Sequence, residues 1–345
     1  MRWNADTALA AARGYREACV IAAAADLELF DAFAGKRLTQ AQAARRVRGD
    51  RRAVGVLLDA LAALGLLGKS GRRYFVPQGV ASALTEGGGR SVLAMCQHHA
   101  NCMRRWAQLA RCVRTGRPSA RVPSVRGGQR DHAAFIGGMH NLSSSLSRVI
   151  VADLQPLRFT HLLDVGGASG TWTIAFLEAN PSATATLFDL PRVIPIARRR
   201  LAKSGWAGSV RLVPGDFCRD ELPKGADLAW VSAIAHQNSR AQNRELFRKI
   251  CRALEPGGRI AIRDVVMSES RTRPVSGALF AVNMLVSTAG GGTFTFREIA
   301  QDLRAAGFAG ARLARRGEGN ESVVVARRRQ PSRRRIRRNM PSFPR

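Results

Sequence analysis

Leu162-Leu163-Asp164-Val165-Gly166-Gly167-Ala168-Ser169-Gly170 decides how this chain folds. Its first residues continue an apolar run from His161 to Val165, short enough for a buried strand, and the pattern stops at Gly166. Glycines at 166, 167 and 170 permit positive φ and let the main chain approach a ligand closely. Thr171–Glu178 then reads as a helix. Strand, glycine turn and helix make the first unit of an open α/β sheet. In such sheets ligands lie at the carboxyl ends of strands, near the point where strand order reverses. The spacing is D-x-G-x-x-x-G rather than the G-x-G-x-x-G of a dinucleotide loop. With an acid inside the strand end, it suits a cofactor that lacks a pyrophosphate and turns a cationic methionine part toward Asp164.

Downstream, short apolar runs alternate with helical stretches. The runs are 183–188, 209–213, 227–232 and 259–266; the helices are 193–202 and 240–254. This alternation predicts a parallel sheet covered by helices on both faces. Nineteen residues beyond Gly170, Asp189 stands in Leu187-Phe188-Asp189-Leu190-Pro191 at a second strand end, where a carboxylate accepts both hydrogen bonds of a ribose diol. Gly215-Asp216-Phe217 follows the third strand. Asp216 offers an acceptor to an adenine amino group, and Phe217 offers a stacking face. Each acid read alone is equally a turn or helix cap. Together, three successive strand tips outline one adenosyl pocket.

Upstream, residues 1–115 read as mostly helical. Tyr15 to Phe33 predicts an Ala-rich helix, Thr39 caps Gln40–Val47, and Asp50 caps a helix whose Val54, Leu57, Leu58, Leu61 and Leu64 form one apolar stripe. A hairpin through Leu66–Leu67, Lys69-Ser70-Gly71 and Tyr74-Phe75-Val76 completes a winged-helix pattern, which serves either DNA or a packing and dimerisation surface. Residues 116–130, with Pro118, Pro123, Gly127 and Gly128, read as a loop between lobes, followed by a helix from His132 to about Leu154.

The expected domains are therefore 1–115, a linker with a substrate-lining helix at 116–158, the α/β unit at 159–326, and an arginine-rich tail at 327–345. The net charge of +30 invites a nucleic-acid reading, but 50 of the 55 basic residues are arginine, a bias that coding composition alone produces. The tail, rich in arginine and proline and without apolar periodicity, is expected to be disordered. It is either a solvated appendage or a weak contact for RNA, DNA or anionic lipid. The longest apolar run, Ala18–Ala25, is far short of the ~20 residues of a membrane span. Charges near the N-terminus break the apolar stretch a signal peptide needs, and six cysteines form no framework, so a cytoplasmic location is expected. Cys96, His98, His99 and Cys102 stand at helical spacing; semi-buried packing is the expectation for them, and no metal is assigned.

Residues 160–325 resemble class I S-adenosylmethionine-dependent methyltransferases. Asp164–Gly170, Phe188-Asp189-Leu190-Pro191, Gly215-Asp216-Phe217, Leu254–Gly258 and Gly290–Gly292 are similar to the caffeate/acetylserotonin O-methyltransferase family. Residues 13–115 are similar to that family's N-terminal winged-helix dimerisation domain. The resemblance implies a Rossmann-like, seven-stranded methyltransferase domain behind a helical dimerisation domain, and a homodimer whose N-terminal domains complete each other's substrate pocket. It implies S-adenosyl-L-methionine as cofactor, bound at Asp164, Gly166, Gly167, Gly170, Asp189, Leu190, Asp216, Phe217 and Ser232. Ala168 replaces a usual third glycine, and its methyl group is tolerated if φ there is negative.

Methyl transfer to a hydroxyl needs the acceptor oxygen held in line and its proton removed. Histidine, with an ordinary pKa of ~6.5, is the natural base. His236 lies just beyond the fourth strand and matches the family's catalytic histidine, and Asp264 matches the acid that orients it. Gln237 stands where many members have aspartate, and Thr293 where plant members have a second glutamate. A weaker base suits an acidic phenol or carboxyl acceptor. His236 as a substrate-positioning donor, or as an inert loop histidine, are the alternatives. The acceptor is expected against Phe135, Met139, His140, Asn283 and Met284, which pack on flat rings or form ordinary core. A small hydroxylated aromatic metabolite is the expected substrate. Carbon or nitrogen methylation, a non-methylating reaction on the same cofactor, and a winged-helix regulator are the competing readings. The apolar Arg51–Leu64 helix disfavours the last.

Overall fold

A computed structural model describes residues 3–330, apart from the side chains of His140, Asn141, Leu142 and Ser145. The tail from 331 to 345 lies outside the described residues.

The N-terminal region is built as the apolar spacing dictates. Thr39 and Gln42 form a reciprocal capping box at the start of the helix Gln40–Val47, and the Asp50 carboxylate accepts the Ala53 N–H at 2.8 Å. Val54, Leu58 and Leu61 are buried with Leu29, Phe30 and Phe33 in one core. Two expectations are corrected. The helix over 15–33 is broken into Tyr15–Asp26 and Leu29–Phe33 by Glu28, whose φ of 51° ends one helix and turns Leu29, Phe30 and Phe33 into that core. Leu64, expected in the stripe, is exposed, because the helix ends at Ala63 and the chain leaves through a left-handed Gly65. The wing is Gly68–Ser70 paired antiparallel with Arg73–Phe75, and the latter also pairs with Leu38–Thr39.

Helices Leu93–Trp106, Leu109–Thr115 and Gly128–Asp153 lead into a seven-stranded sheet. Its strands are β1 (His161–Val165), β2 (Thr184–Asp189), β3 (Val210–Pro214), β4 (Ala226–Ser232), β5 (Leu254–Asp264), β6 (Phe308–Arg315) and β7 (Ser322–Arg328). The order is β6-β7-β5-β4-β1-β2-β3. The first five strands run parallel, and β7 is antiparallel to both neighbours. Strand order reverses between β1 and β4, which places the glycine turn at the switch point. β5 begins at Leu254 rather than Arg259 because a register shift against β4 absorbs the intervening residues.

Successive side chains of a strand face opposite layers. Ala229 and Val231 of β4 face a core with Leu246, Phe247 and Ile250 of the helix Arg240–Ala253 and Ile299 and Leu303 of the helix Phe296–Ala305. Trp230 faces the other core, against Trp172 and Phe176 of the helix Thr171–Ala179 and Ile150 of the helix Gly128–Asp153. The Trp172 and Trp230 rings lie 5.0 Å apart, and Phe176 meets Trp230 edge-on at 4.9 Å. The tail expected from residue 327 starts later. Arg327 pairs with Arg259 and Arg328 with Phe308, so the backbone ladder continues into the arginine run in spite of the like charges it brings together. No helix among the described residues is long and apolar enough to cross a membrane.

Candidate active site

The loop after β1 is shaped by what lies beneath it. The Gly166 N–H donates to the Phe188 carbonyl at 2.8 Å, extending the sheet by one bond, and the Gly170 N–H closes a tight turn on the Gly167 carbonyl at 2.8 Å. A Cβ on Gly167 would sit 2.6 Å from Leu187 Cγ and 3.0 Å from Asp164 Cγ, so only glycine fits. Asp164, 1% exposed, is roofed by this loop and does not open onto it. Its Oδ2 accepts the Thr173 hydroxyl at 2.6 Å, tying the strand end to the helix that follows. Burial holds its pKa up at about 7.

Asp189, at the tip of β2, accepts the Ala168 N–H at 2.8 Å through Oδ2 and the Leu190 N–H at 2.7 Å through Oδ1. Burial pushes its pKa up. Each oxygen keeps a further lone pair for a ligand hydroxyl. Ala168 itself takes φ 49°, so the negative φ on which tolerance of its methyl group depended is not met, and its N–H is held by Asp189. The cost of a Cβ there is about 1–2 kcal/mol. Replacing Ala168 with Gly is expected to stabilise the fold by about 0.5–1 kcal/mol after the added chain entropy of glycine. A urea midpoint at or below wild type would contradict this.

Beyond β3, Asp216 Oδ1 accepts the Cys218 N–H at 2.9 Å, and Phe217 packs on the sheet core. The buried Lys249 pins this loop, donating to the Phe217 carbonyl at 3.0 Å and the Asp220 carbonyl at 2.9 Å. Ser232 ends β4, one residue past the Val165–Val231 pair, so it stands beside Gly166.

His236 follows in a short turn and is 6% exposed. Its Nδ1 lies 2.8 Å from Asp264 Oδ1, and its backbone N–H donates to Asp264 Oδ2 at 3.1 Å. A carboxylate only accepts, so Nδ1 carries the hydrogen and Nε2 the lone pair. Asp264 thus fixes tautomer and orientation together. Behind the histidine, Gly292 donates to its carbonyl at 2.9 Å. A Cβ on Gly291 would lie 2.4 Å from that carbonyl oxygen, so the glycine run packs on the base's own backbone. Gln237 is exposed and turns away to the Ala233 carbonyl, and Thr293 is buried.

The helix Val275–Ser287 closes the far side. Phe280 meets the His236 ring edge-on at 4.7 Å, and Asn283 and Met284, three and four residues on, share its face. Asn283 accepts from Trp106 Nε1 at 2.9 Å, which ties the half-buried Trp106 to this helix. Phe135 is exposed and packs on His98 of the helix Leu93–Trp106, with ring centroids 5.1 Å apart, away from the contacts of Phe280 and Asn283. Met139 is half-buried one turn on. His140 belongs to the same helix, but its side chain is outside the described part. Cys102 Sγ lies 3.6 Å from His98 Nε2; among the described residues no group of three or more His, Cys, Asp or Glu is placed to hold a metal ion.

Three residues of the site escaped the sequence reading. Lys249 is a lone cation on the apolar face of its helix, between Leu246 and Ala253, and that pattern was visible. Arg263, inside the apolar run Ile260-Ala261-Ile262, carried a similar signal. Thr173 carried none.

The sequence model of the O-methyltransferase domain matches residues 106–309, and that of the O-methyltransferase dimerisation domain matches residues 9–87. The chain belongs to this O-methyltransferase family and is an S-adenosyl-L-methionine-dependent enzyme. It is 30% identical to a 3-hydroxy-5-methyl-1-naphthoate 3-O-methyltransferase of Streptomyces sahachiroi, over 91% of this chain and 92% of that protein. It is also 30% identical to the acetylserotonin O-methyltransferase of Rattus norvegicus, over 92% of this chain and 76% of that one. The crystal structure of human N-acetylserotonin methyltransferase with S-adenosylmethionine superposes with a TM-score of 0.79 at 25% identity, covering 95% of this chain and 99% of that one. The strand tips fit this cofactor on their own evidence: a half-buried carboxylate at Asp189, at the end of β2, with acceptor capacity to spare for a diol.

Asp164 makes the fit pH-dependent. With its pKa held up at about 7, the free carboxyl carries a proton below that pH. A cationic methionine group held above the loop would favour the ionised form, and binding would then release that proton. Cofactor affinity is therefore expected to level off above pH 7 and to fall toward tenfold per unit below it. A calorimetric titration with S-adenosyl-L-methionine that gives one affinity from pH 5.5 to 8 would contradict this.

Proposed function

We propose that this enzyme methylates a hydroxyl of a small aromatic acceptor, with His236 as general base and Asp264 as the residue that orients it. S-adenosyl-L-methionine supplies an electrophilic methyl group on a sulfonium, which leaves as a neutral thioether. Nε2 of His236 takes the proton of the acceptor hydroxyl, and the ring stays aligned because Asp264 holds it from Nδ1 and from the backbone at once. That double grip, at 2.8 and 3.1 Å, is the observation that carries the reading. Phe280 and Met284 offer an apolar wall for a flat ring, and the naphthoate and acetylserotonin relatives support an aromatic acceptor. Incubation with methyl-labelled cofactor and a panel of phenols and hydroxy-naphthoates tests this. Label is expected on phenolic oxygen, and label only on nitrogen or carbon acceptors would sink it.

The working form is proposed to be a homodimer. The helix Ala5–Arg13 buries none of its residues, and Leu9 and Tyr15 are exposed within one chain. So short a helix is marginal in water without packing, and the dimerisation family match covers it in part. Removing residues 1–14 is expected to shift sedimentation from dimer to monomer, and an unchanged dimer would contradict the assignment. A reducing cytoplasm accords with six unpaired cysteines.

A further inference from the structure

Arg263 is 2% exposed, at the carboxyl end of β5, and faces the layer opposite to Asp264. One terminal nitrogen donates to the Ser232 hydroxyl at 2.9 Å, and the guanidinium lies 4.7 Å from the Trp172 ring. Its Nε has no hydrogen-bond partner, and no carboxylate stands within ion-pair distance, among the described residues. The neighbouring Asp264 is committed to His236 and the Val265 N–H. Burial lowers the pKa of Arg263 only to about 10, so it remains a cation at neutral pH.

Asp264 and Glu321 act on it only through space, and a buried cation without a bonded counter-ion is costly, so a ligand that supplies one would complete it. One of its two contacts stands at the strand tips, and the other is the buried Trp172 of the core beneath the first helix of the sheet domain. Ser232 is the tip of β4 beside Gly166, and Trp172 stands in the first turn of the helix after the glycine loop, whose N-terminal dipole also favours negative charge. The one anionic group of S-adenosyl-L-methionine is the carboxylate of its amino-acid part. We infer that Arg263 is the counter-ion of that carboxylate, with the Ser232 hydroxyl it holds as a second donor. The inference rests on the cofactor assignment. It makes Arg263 a selectivity residue that separates the intact cofactor from analogues lacking the acid.

Calorimetry with S-adenosyl-L-homocysteine and its decarboxylated analogue tests this, since the two ligands differ by the carboxylate alone. Wild type is expected to bind the decarboxylated ligand roughly 30-fold or more weakly, the scale of a desolvated charge pair that loses one partner. Arg263→Met is expected to lose that preference, binding the homocysteine form as weakly as wild type binds the analogue while leaving the analogue's affinity unchanged. Equal affinities in wild type overturn the inference, as does an Arg263→Met variant that keeps the preference or weakens both ligands alike. If that variant does not fold, Arg263→Gln is compared in its place with the same expected loss of preference, and equal affinities in wild type overturn the inference in either case. A wild-type protein that binds neither ligand would overturn the cofactor assignment instead.

Discussion

Replacing His236 with alanine is expected to slow methyl transfer by roughly 10²–10⁴-fold, the usual contribution of a positioned general base. Cofactor affinity should stay near wild type, because the histidine stands past the strand tips and donates nothing to the cradle. Its surroundings make the prediction specific. The ring is pinned by Asp264 at Nδ1, packed edge-on by Phe280, and seated on the backbone of the glycine run 290–292. An alanine removes the proton acceptor but leaves the Asp264 carboxylate its bonds to the backbone N–H groups of residue 236 and Val265. The loss therefore reports base catalysis rather than local collapse. His236→Gln, which keeps polarity and much of the volume without a titratable ring, is expected to be nearly as slow. Single-turnover rates at saturating cofactor give the measurement, and a loss below about fivefold would point to positioning alone.

The second large effect is expected from Asp189→Ala, at the cofactor. A carboxylate that accepts two ribose hydroxyls contributes charge-assisted hydrogen bonds of about 1.5–3 kcal/mol, or roughly 10–150-fold in Kd if one such bond's worth is lost. A further loss follows from the loop. Asp189 anchors the Ala168 N–H, so its removal frees the segment between Gly167 and Gly170, in which Ala168 holds a left-handed conformation. The expected result is weak binding of S-adenosyl-L-homocysteine by calorimetry with the thermal transition close to that of wild type. Undiminished affinity in a folded variant would mean that the tip of β2 does not hold the ribose.

The sequence was legible where chemistry and backbone pattern coincide. Strand tips announce themselves through apolar runs that end in glycine or acid, so Asp164, Asp189 and His236 were found at the correct ends of the correct strands. What the pattern did not carry was direction. Asp164 lies under its loop instead of facing the cleft, because Thr173, one turn into the helix, takes its carboxylate. Ala168 adopts a positive φ, and its N–H is held by a carboxylate 21 positions away, neither of which the local pattern encodes. Trp106 and Asn283 meet across 177 positions, a pairing that no local periodicity encodes. The break at Glu28 is likewise tertiary: an Ala-rich segment with good helix propensity bends so that Leu29 and Phe33 reach the core.

The central claim is that His236 removes the acceptor proton during transfer. Its most direct test is a series of phenolic acceptors of graded acidity, followed by single-turnover methyl transfer in wild type and His236→Ala. Phenols acidic enough to ionise unaided need no base, so the variant's deficit is expected to shrink steadily as phenol pKa falls, and to vanish for acceptors ionised at the assay pH. A deficit of constant size across the series would contradict the account and leave His236 a residue that only positions its substrate.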